Sequence, residues 1–275
     1  MIRALVFNGG LGNQMFQYAF YLRLKKRFPL DFFAFDIELS QGCHNGYELD
    51  KVFCLDGLRL ARNYRRMKRR FPRLLDALQE VKQNNALEYD ANMLRRLAFA
   101  RYEGFWQSEK YFCEVVGAVW RSFRFNETLL NDLTKDLSNT LQSGNYVSVH
   151  VRRGDYVQQQ AFFGLCDEAY YHQSIDLMRQ KVGNPLFVFF SDDMSWVREN
   201  FYEKDAVYVD WNQGGESWQD MYLMTQCRHN IIANSSFSWW GAWLNPNKEK
   251  IVVAPKQWFR STPNYDVLPE EWLTL

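Results

Sequence analysis

What the chain lacks narrows its chemistry first. Neither sign of charge is in excess: 33 Lys and Arg stand against 32 Asp and Glu in 275 residues, a formal net charge of +1. The global basic surplus of a nucleic-acid binder is therefore absent. No Cys-x-x-Cys pair occurs either. The five cysteines, Cys43, Cys54, Cys113, Cys166 and Cys227, are odd in number and scattered, which argues for reduced thiols in a cytoplasm and against a disulfide or zinc framework. No run approaches the ~18 apolar residues of a membrane-crossing helix. The opening stretch from Met1 to Phe7 breaks at Asn-Gly-Gly and is too short for a secretory signal. The sequons at Asn126 and Asn234 thus carry no expectation of glycosylation, and the expected setting is the cytoplasm.

What is present is an ordinary globular composition, 47% hydrophobic, with length enough for one large or two modest α/β domains. Aromatics reach 17%, ten of them tryptophan. Most are expected in the core, although exposed rings suit stacking on sugars and bases. Residues 2–7 read as a short strand and Asn8-Gly-Gly-Leu-Gly-Asn13-Gln14 as a glycine turn. A helix follows, with Met15, Tyr18, Ala19, Leu22 and Phe28 at helical spacing. Such a layout converges backbone N–H groups on an anion. It is neither the dinucleotide fingerprint nor a Walker loop, and tight turns after a first strand are common.

A second strand is predicted over 31–36 and a helix from Leu58 to Leu78, kinked or ended by Pro72. In that helix Leu60, Tyr64, Met67 and Phe71 can share one face. The others carry Arg59, Arg62, Arg65, Arg66, Lys68, Arg69, Arg70 and Arg73 with no acid among them. That stretch fits an anionic membrane surface or acceptor; a solvated surface helix is the plainer reading. After an aromatic strand end near Tyr102 and a helix start at Ser108, residues 128–143 read as a polar helix or linker. Ser143-Gly-Asn145 marks the expected boundary between halves. The second half then alternates apolar runs at 147–151, 186–190, 206–209, 230–233 and 251–254 with helical stretches near 167–182, 194–202, 217–227 and 237–244. That alternation indicates a parallel sheet covered on both faces.

The stretch that organises the rest is Tyr146-Val-Ser-Val-His150-Val-Arg152-Arg153-Gly-Asp155-Tyr156. A buried strand breaks there into two arginines, a glycine and an aspartate. Ligands of open α/β sheets bind beyond the carboxyl ends of strands, and guanidinium forks match phosphate oxygens. A structural ion pair of Arg153 with Asp155 is the alternative. Ser191-Asp192-Asp193 ends another strand; a metal is one reading, and a helix N-cap by Asp192 or Asp193 the favoured one. Ser235 and Ser236 open a helix and offer either a phosphate cradle or a plain N-cap. Trp239 and Trp240 read as packing. Asp220 is three residues after Ser217, a capping-box-like spacing, or it accepts hydrogen bonds from a guanine base. His150 alone in an apolar strand is more often a satisfied core residue than a catalyst.

The motif His150-Val-Arg152-Arg153-Gly-Asp155-Tyr156 resembles the signature of the α1,2-fucosyltransferases, glycosyltransferase family 11. The likeness extends through Phe7-Asn-Gly-Gly-Leu-Gly-Asn13-Gln14, Trp106-Gln-Ser-Glu-Lys-Tyr-Phe112, Met224-Thr-Gln-Cys-Arg-His-Asn230, Asn234-Ser-Ser-Phe-Ser-Trp-Trp-Gly-Ala-Trp243 and Leu268-Pro-Glu-Glu-Trp272, collinear over nearly the whole chain. It implies a GT-B-like α/β fold: two facing Rossmann-like domains with a donor cleft between them. Residues 1–143 would form the N-terminal, acceptor-side domain and 144–275 the C-terminal, GDP-fucose-binding domain. The implied reaction is inverting transfer of L-fucose from GDP-L-fucose to the 2-hydroxyl of a terminal galactose, with no metal and no other cofactor. By the same resemblance Arg152 would meet the β-phosphate, with His150 and Arg153 supporting both that arginine and the nucleotide. Asp220 would read guanine, Ser235 and Ser236 would meet the diphosphate, and Gly12 and Asn13 would reach it from the other domain.

The catalytic base is the gap, since Gln158-Gln-Gln160 stands where α1,6-type relatives carry a glutamate. Asp155 is the nearest carboxylate and the candidate base, although holding Arg153 in place is the favoured reading of it. Open beside this reading are another linkage, such as α1,6, and a non-catalytic sugar-nucleotide or glycan-binding protein. The expected acceptor is a galactose-terminated oligosaccharide, free or lipid-linked. At most the 59–73 basic stretch would make peripheral contact with the inner face of a membrane.

Overall fold

The computed structural model describes residues 1–42, 44–83, 88–95, 97, 99–154, 164, 166–202, 204, 206–259 and 266–275. The chain forms two compact units, Met1–Asn126 with Tyr265–Val267, and Glu127–Asn264 with Leu268–Leu275. Each is α/β and carries one sheet whose strand pairs are parallel among the described residues.

In the first unit β1 (Ile2–Val6), β2 (Phe32–Asp36), β3 (Gln79–Lys82) and β4 (Phe99–Glu103) lie in the order β2-β1-β4-β3. The helices are α1 (Leu11–Arg27), α2 (Leu49–Phe53), α3 (Gly57–Arg70), α4 (Pro72–Asp76) and α5 (Val116–Ser122). The apolar stripe of α1 is buried at Met15, Tyr18 and Ala19, as its spacing predicts. Pro72 divides the basic stretch. It occupies the first turn of α4, where a missing N–H leaves no bond unmade. Ala61, Tyr64 and Met67 of α3 are buried, and Tyr64 and Met67 pack with Ala4, Ala34 and Leu78. Strand β3 escaped the sequence reading because it is a mostly exposed edge of polar residues, Gln-Glu-Val-Lys.

The second unit contains α6 (Asp132–Leu141), β5 (Tyr146–Val151), α7 (Glu168–Lys181), β6 (Leu186–Ser191), α8 (Met194–Asn200), β7 (Val207–Val209), α9 (Trp218–Gln226), β8 (His229–Ile231), α10 (Ser236–Trp243), β9 (Val252–Ala254) and β10 (Leu273–Thr274). By internal packing the two units part at 126/127, whereas the sequence reading places its domain boundary at 143/144. Helix α6, polar enough to read as a linker, docks on α9: the Ser138 and Tyr222 hydroxyls are 3.2 Å apart, and Asn131 N donates to Gln219 Oε1 at 2.9 Å.

The sheet order is β10-β9-β8-β5-β6-β7. From β5 the chain steps outward to β6 and β7, then returns to the other side of β5 and steps outward through β8, β9 and β10. The order therefore reverses between β5 and β8, and the carboxyl ends of those two strands flank the switch point where such sheets take ligands. Side chains of β5 alternate faces. Val147, Val149 and Val151 join Tyr170, Tyr171, Ile175 and Met178 of α7 in one core. Ser148 and His150 point the other way. Helix α10 is apolar nearly all round and is buried accordingly; Trp239 and Trp240 are fully buried, so both are packing residues.

Candidate active site

The ladder register builds the charged cluster. Val151 of β5 pairs with Ser191 of β6, so one step further on Arg152 comes abreast of Asp192, and Arg153 of Asp193. Arg152 Nη1 lies 2.9 Å from Asp192 Oδ2, with about a quarter of each side chain still open to solvent, 24% and 26%. The other oxygen of Asp192 accepts from the Arg153 backbone N–H at 2.9 Å. Arg153 Nε donates to Asp193 Oδ2 at 3.2 Å, and its guanidinium lies 3.8 Å above the Trp196 ring. Gly154 completes the turn. A Cβ there would stand 2.5 Å from Asp192 Oδ2, so the carboxylate reaches Arg152 only past a glycine.

The sequence offers Asp192 as a metal ligand or a helix cap and gives no sign of its pairing with Arg152. Asp193 caps α8, accepting from Trp196 N at 3.2 Å, while Asp192 is committed to the arginine turn. An acid pair readable as a metal site is thus engaged by two guanidiniums. Among the described residues no group of three or more His, Cys, Asp or Glu is placed to hold a metal ion. Asp155, the proposed base, lies outside the described residues.

Across the switch point β8 runs into Asn234 and Ser235. Ser235 is the N-cap of α10, its hydroxyl oxygen accepting from Phe237 N at 3.3 Å, and Ser236 is the half-buried first residue of the helix. Asn234 is buried and structural, its Nδ2 donating to the Gly164 and Trp258 carbonyls at 3.1 and 3.0 Å. His150 lies beneath this turn, its ring 5.7 Å from that of Phe237. Burial pushes its pKa down to about 3, with Asp192 opposing and Arg152 reinforcing the fall. The imidazole is therefore neutral at physiological pH, and its buried Nδ1 has no hydrogen-bond partner among the described residues.

Asp220 sits in the first turn of α9, but Ser217 makes no side-chain cap there, so the capping-box reading does not hold. Its Oδ1 accepts from Asn212 Nδ2 at 2.8 Å. Asn212 is fixed in turn, accepting from Asn131 Nδ2 at 2.8 Å and Thr134 Oγ1 at 3.2 Å. Burial raises the Asp220 carboxyl to about 8, against the pull of the Asn212 amide.

In the first unit the glycine turn leads into α1 through Gly10, an N-cap without a side-chain cap. Gly12 is buried in the first turn, and Asn13 is half-buried beside it. Gly9 has φ +76°, and a Cβ there would lie 2.5 Å from Asn13 Nδ2. Gln107 donates to Asn13 Oδ1 at 2.8 Å, which turns the Asn13 N–H groups away from Gln107. Gln14 is a strut: it donates to the Gly9 and Gly46 carbonyls and accepts from Glu48 N.

The structure thus brings Arg152, Arg153 and His150 together at the end of β5, with Ser235 and Ser236 on the adjoining β8–α10 turn. Asp220 stands at the start of α9, and Gly12 and Asn13 belong to the other unit.

Known proteins resemble this chain over most of its length. Residues 65–275 match the profile of Glycosyl transferase family 11. The chain is 34% identical to the alpha-1,2-colitosyltransferase of Escherichia coli, over 97% of this chain and 96% of that protein. It is 30% identical to the O-antigen biosynthesis glycosyltransferase WbnK of Escherichia coli, over 98% of each. Among solved structures, the fucosyltransferase NodZ from Bradyrhizobium shares the fold, with a TM-score of 0.50 and 14% identity over 87% of this chain and 90% of that one. The switch-point arginines and a family profile covering most of the sequence lead to one assignment: the chain belongs to glycosyl transferase family 11, the α1,2-fucosyltransferases.

Proposed function

We propose that the protein moves L-fucose from GDP-L-fucose to the 2-hydroxyl of a terminal galactose in a glycan, inverting the anomeric carbon. The observation that carries this reading is Arg152, oriented by Asp192 at the switch point of the second sheet, across from the N-terminus of α10. Two Escherichia coli relatives matched over nearly their whole length, one named for α1,2 colitosyl transfer and one for O-antigen biosynthesis, support it.

In the reaction the acceptor oxygen bonds to the fucose anomeric carbon as the bond from that carbon to the β-phosphate oxygen breaks. The electron pair leaves with GDP, and the acceptor proton passes to a base. Charge then builds on the diphosphate. A donor held in place for that charge contributes ~3–4 kcal/mol to the barrier. Arg152 is assigned this role, Asp192 fixes its plane, and Ser235 and Ser236 offer hydroxyls and the α10 N-terminus. Arg153, held by Asp193 and Trp196, shapes the turn. His150, neutral, packs beneath Arg152 and is a positioning residue. Asp220 is assigned to the guanine edge. Gly12 and Asn13 keep their donor-binding assignment, supported by the Asn13 amide that Gln107 orients. Protein donors, not a metal ion, neutralise the leaving group in this reading, and Asp155 is its candidate base.

The test is an assay of the full chain with GDP-fucose, a galactose-terminated oligosaccharide and EDTA, with the product linkage read by NMR. An α1,2-fucosylated product is expected. Bound GDP-fucose with no GDP released would mark a binding protein. Transfer lost on chelation and restored by manganese would remove the metal-free mechanism. Because one full-length relative is named a colitosyltransferase, colitose is the second reading for the donor sugar, and donor competition in the same assay separates the two.

A further inference from the structure

The outer face of α3 plays no part in the chemistry above. Arg62, Arg65, Arg66, Arg69 and Arg70 follow the i, i+3, i+4, i+7, i+8 spacing that places residues on one side of a helix. That side is opposite the buried Ala61, Tyr64 and Met67. All five are exposed, as is Arg73 on α4. Arg59 pairs with Asp56 at 2.7 Å and Lys68 with Glu38 at 2.5 Å. Arg62, Arg65, Arg66, Arg69, Arg70 and Arg73 have no acidic partner among the described residues. The helix dipole accounts for cations in the last turn only, which leaves Arg62, Arg65 and Arg66 without a local role.

Two large apolar side chains accompany the arginines. Leu58, four residues before Arg62 and seven before Arg65, shares their face and is 45% exposed; Phe71, expected on the face of Tyr64 and Met67, instead lies past the helix end, 53% exposed and with the Arg70 guanidinium 5.9 Å from its ring centroid. A row of cations with an apolar side chain at each end spans roughly 20 Å at helical rise. That combination matches a surface that is anionic outside and apolar just beneath. A nucleic acid would satisfy the arginines but leave Leu58 and Phe71 in water.

We propose that this face docks the N-terminal unit on an anionic lipid bilayer, the arginines on phosphate headgroups and Leu58 and Phe71 among the upper acyl carbons. Such a surface attracts each nearby arginine by about fivefold in partition. Binding is peripheral and reversible; no helix among the described residues is long and apolar enough to cross the membrane.

The test is co-sedimentation of the full chain with phosphatidylcholine vesicles, with and without phosphatidylglycerol, at low and high salt. Binding should require phosphatidylglycerol and weaken with salt. The variant Arg62→Gln/Arg65→Gln/Arg66→Gln/Arg69→Gln should bind several hundredfold more weakly, about fivefold for each arginine removed. Phe71→Ser should lose about tenfold and keep the salt dependence. Transfer to a soluble acceptor should be unchanged in both, which separates this proposal from the donor chemistry. Wild type and both variants binding equally, or no binding to phosphatidylglycerol vesicles, would overturn it. So would tight binding to a homopolymer RNA without vesicle binding, which would assign the face to nucleic acid.

Discussion

Two groups of arginines in this molecule have opposite surroundings. At the carboxyl end of β5, Arg152 and Arg153 each have an aspartate of their own, and the backbone, Gly154 and Trp196 fix their planes. On α3 and the start of α4, six arginines stand in solvent with no acid opposite them among the described residues. The first arrangement offers low net charge and high directional precision, which suits a transition state whose charge appears at one atom. The second offers a diffuse field and long mobile side chains, which suits a surface whose charges are spread out and fluid. A paired arginine is poor at long-range attraction, and an unpaired one is poor at holding a geometry.

The sharpest way to break this contrast is at Arg152. Arg152→Ala should lower kcat about 10²–10³-fold with a smaller effect on KM, the loss typical of one donor aimed at developing charge. Arg152→Lys should recover little of it, because an ammonium cannot keep one face on Asp192 and another on the diphosphate. The same Arg→Lys exchange at Arg65 or Arg66 should leave vesicle binding intact. If Arg152→Lys is nearly as active as wild type, directionality is not what the pairing supplies.

An intermediate effect is expected at Asp220, which belongs with the fixed group through Asn212. Its folded pKa of about 8 stands above that of an unfolded aspartate, near ~3.9. The carboxyl's contribution to stability is therefore complete below the unfolded value and is lost as pH rises through about 8. Guanine donors need the ionised form, so binding GDP below about pH 8 must expel a proton. Affinity should fall by up to about tenfold per pH unit as the solution is acidified, and Asp220→Asn should flatten that slope while weakening binding. Calorimetry across pH in buffers of different ionisation heat checks this. Identical pH slopes for wild type and Asp220→Asn would detach Asp220 from the base.

How much of this was legible in the sequence depended on burial. Strands β5, β6, β8 and β9 read out cleanly because a central parallel strand is covered on both faces and so is apolar throughout. Edge strands β3 and β10 are exposed and left no such signal. Helix α6 reads as a linker because its outward residues are polar, and its docking on α9 through Ser138 and Asn131 has no signature in the sequence. At the site the arginines stood out as charge breaking an apolar run. The division of labour between Asp192 and Asp193 did not, because it follows from the Val151–Ser191 register, a contact between residues forty positions apart. A sequence shows two adjacent acids, whereas the ladder assigns one to an arginine and the other to a helix cap as well.

The smallest effect probes the α3 face from the side of stability. Arg62, Arg66 and Arg70 form two like-charge pairs at i, i+4, which weaken a helix slightly. Arg66→Glu turns both into opposite-charge pairs, and in the pair with Arg70 the acid precedes the base, the order the helix dipole favours. The melting temperature should rise by about 1–3 °C at low salt and the gain should shrink as salt screens it. The fixed group should respond in the opposite sense. Asp192→Ala leaves two half-buried guanidiniums with a single remaining carboxylate, and it should lower the melting temperature by more than Arg66→Glu raises it. Should Arg66→Glu destabilise instead, the α3 arginines have a partner within the fold, and the distinction between a fixed and a free group of cations no longer separates the two regions.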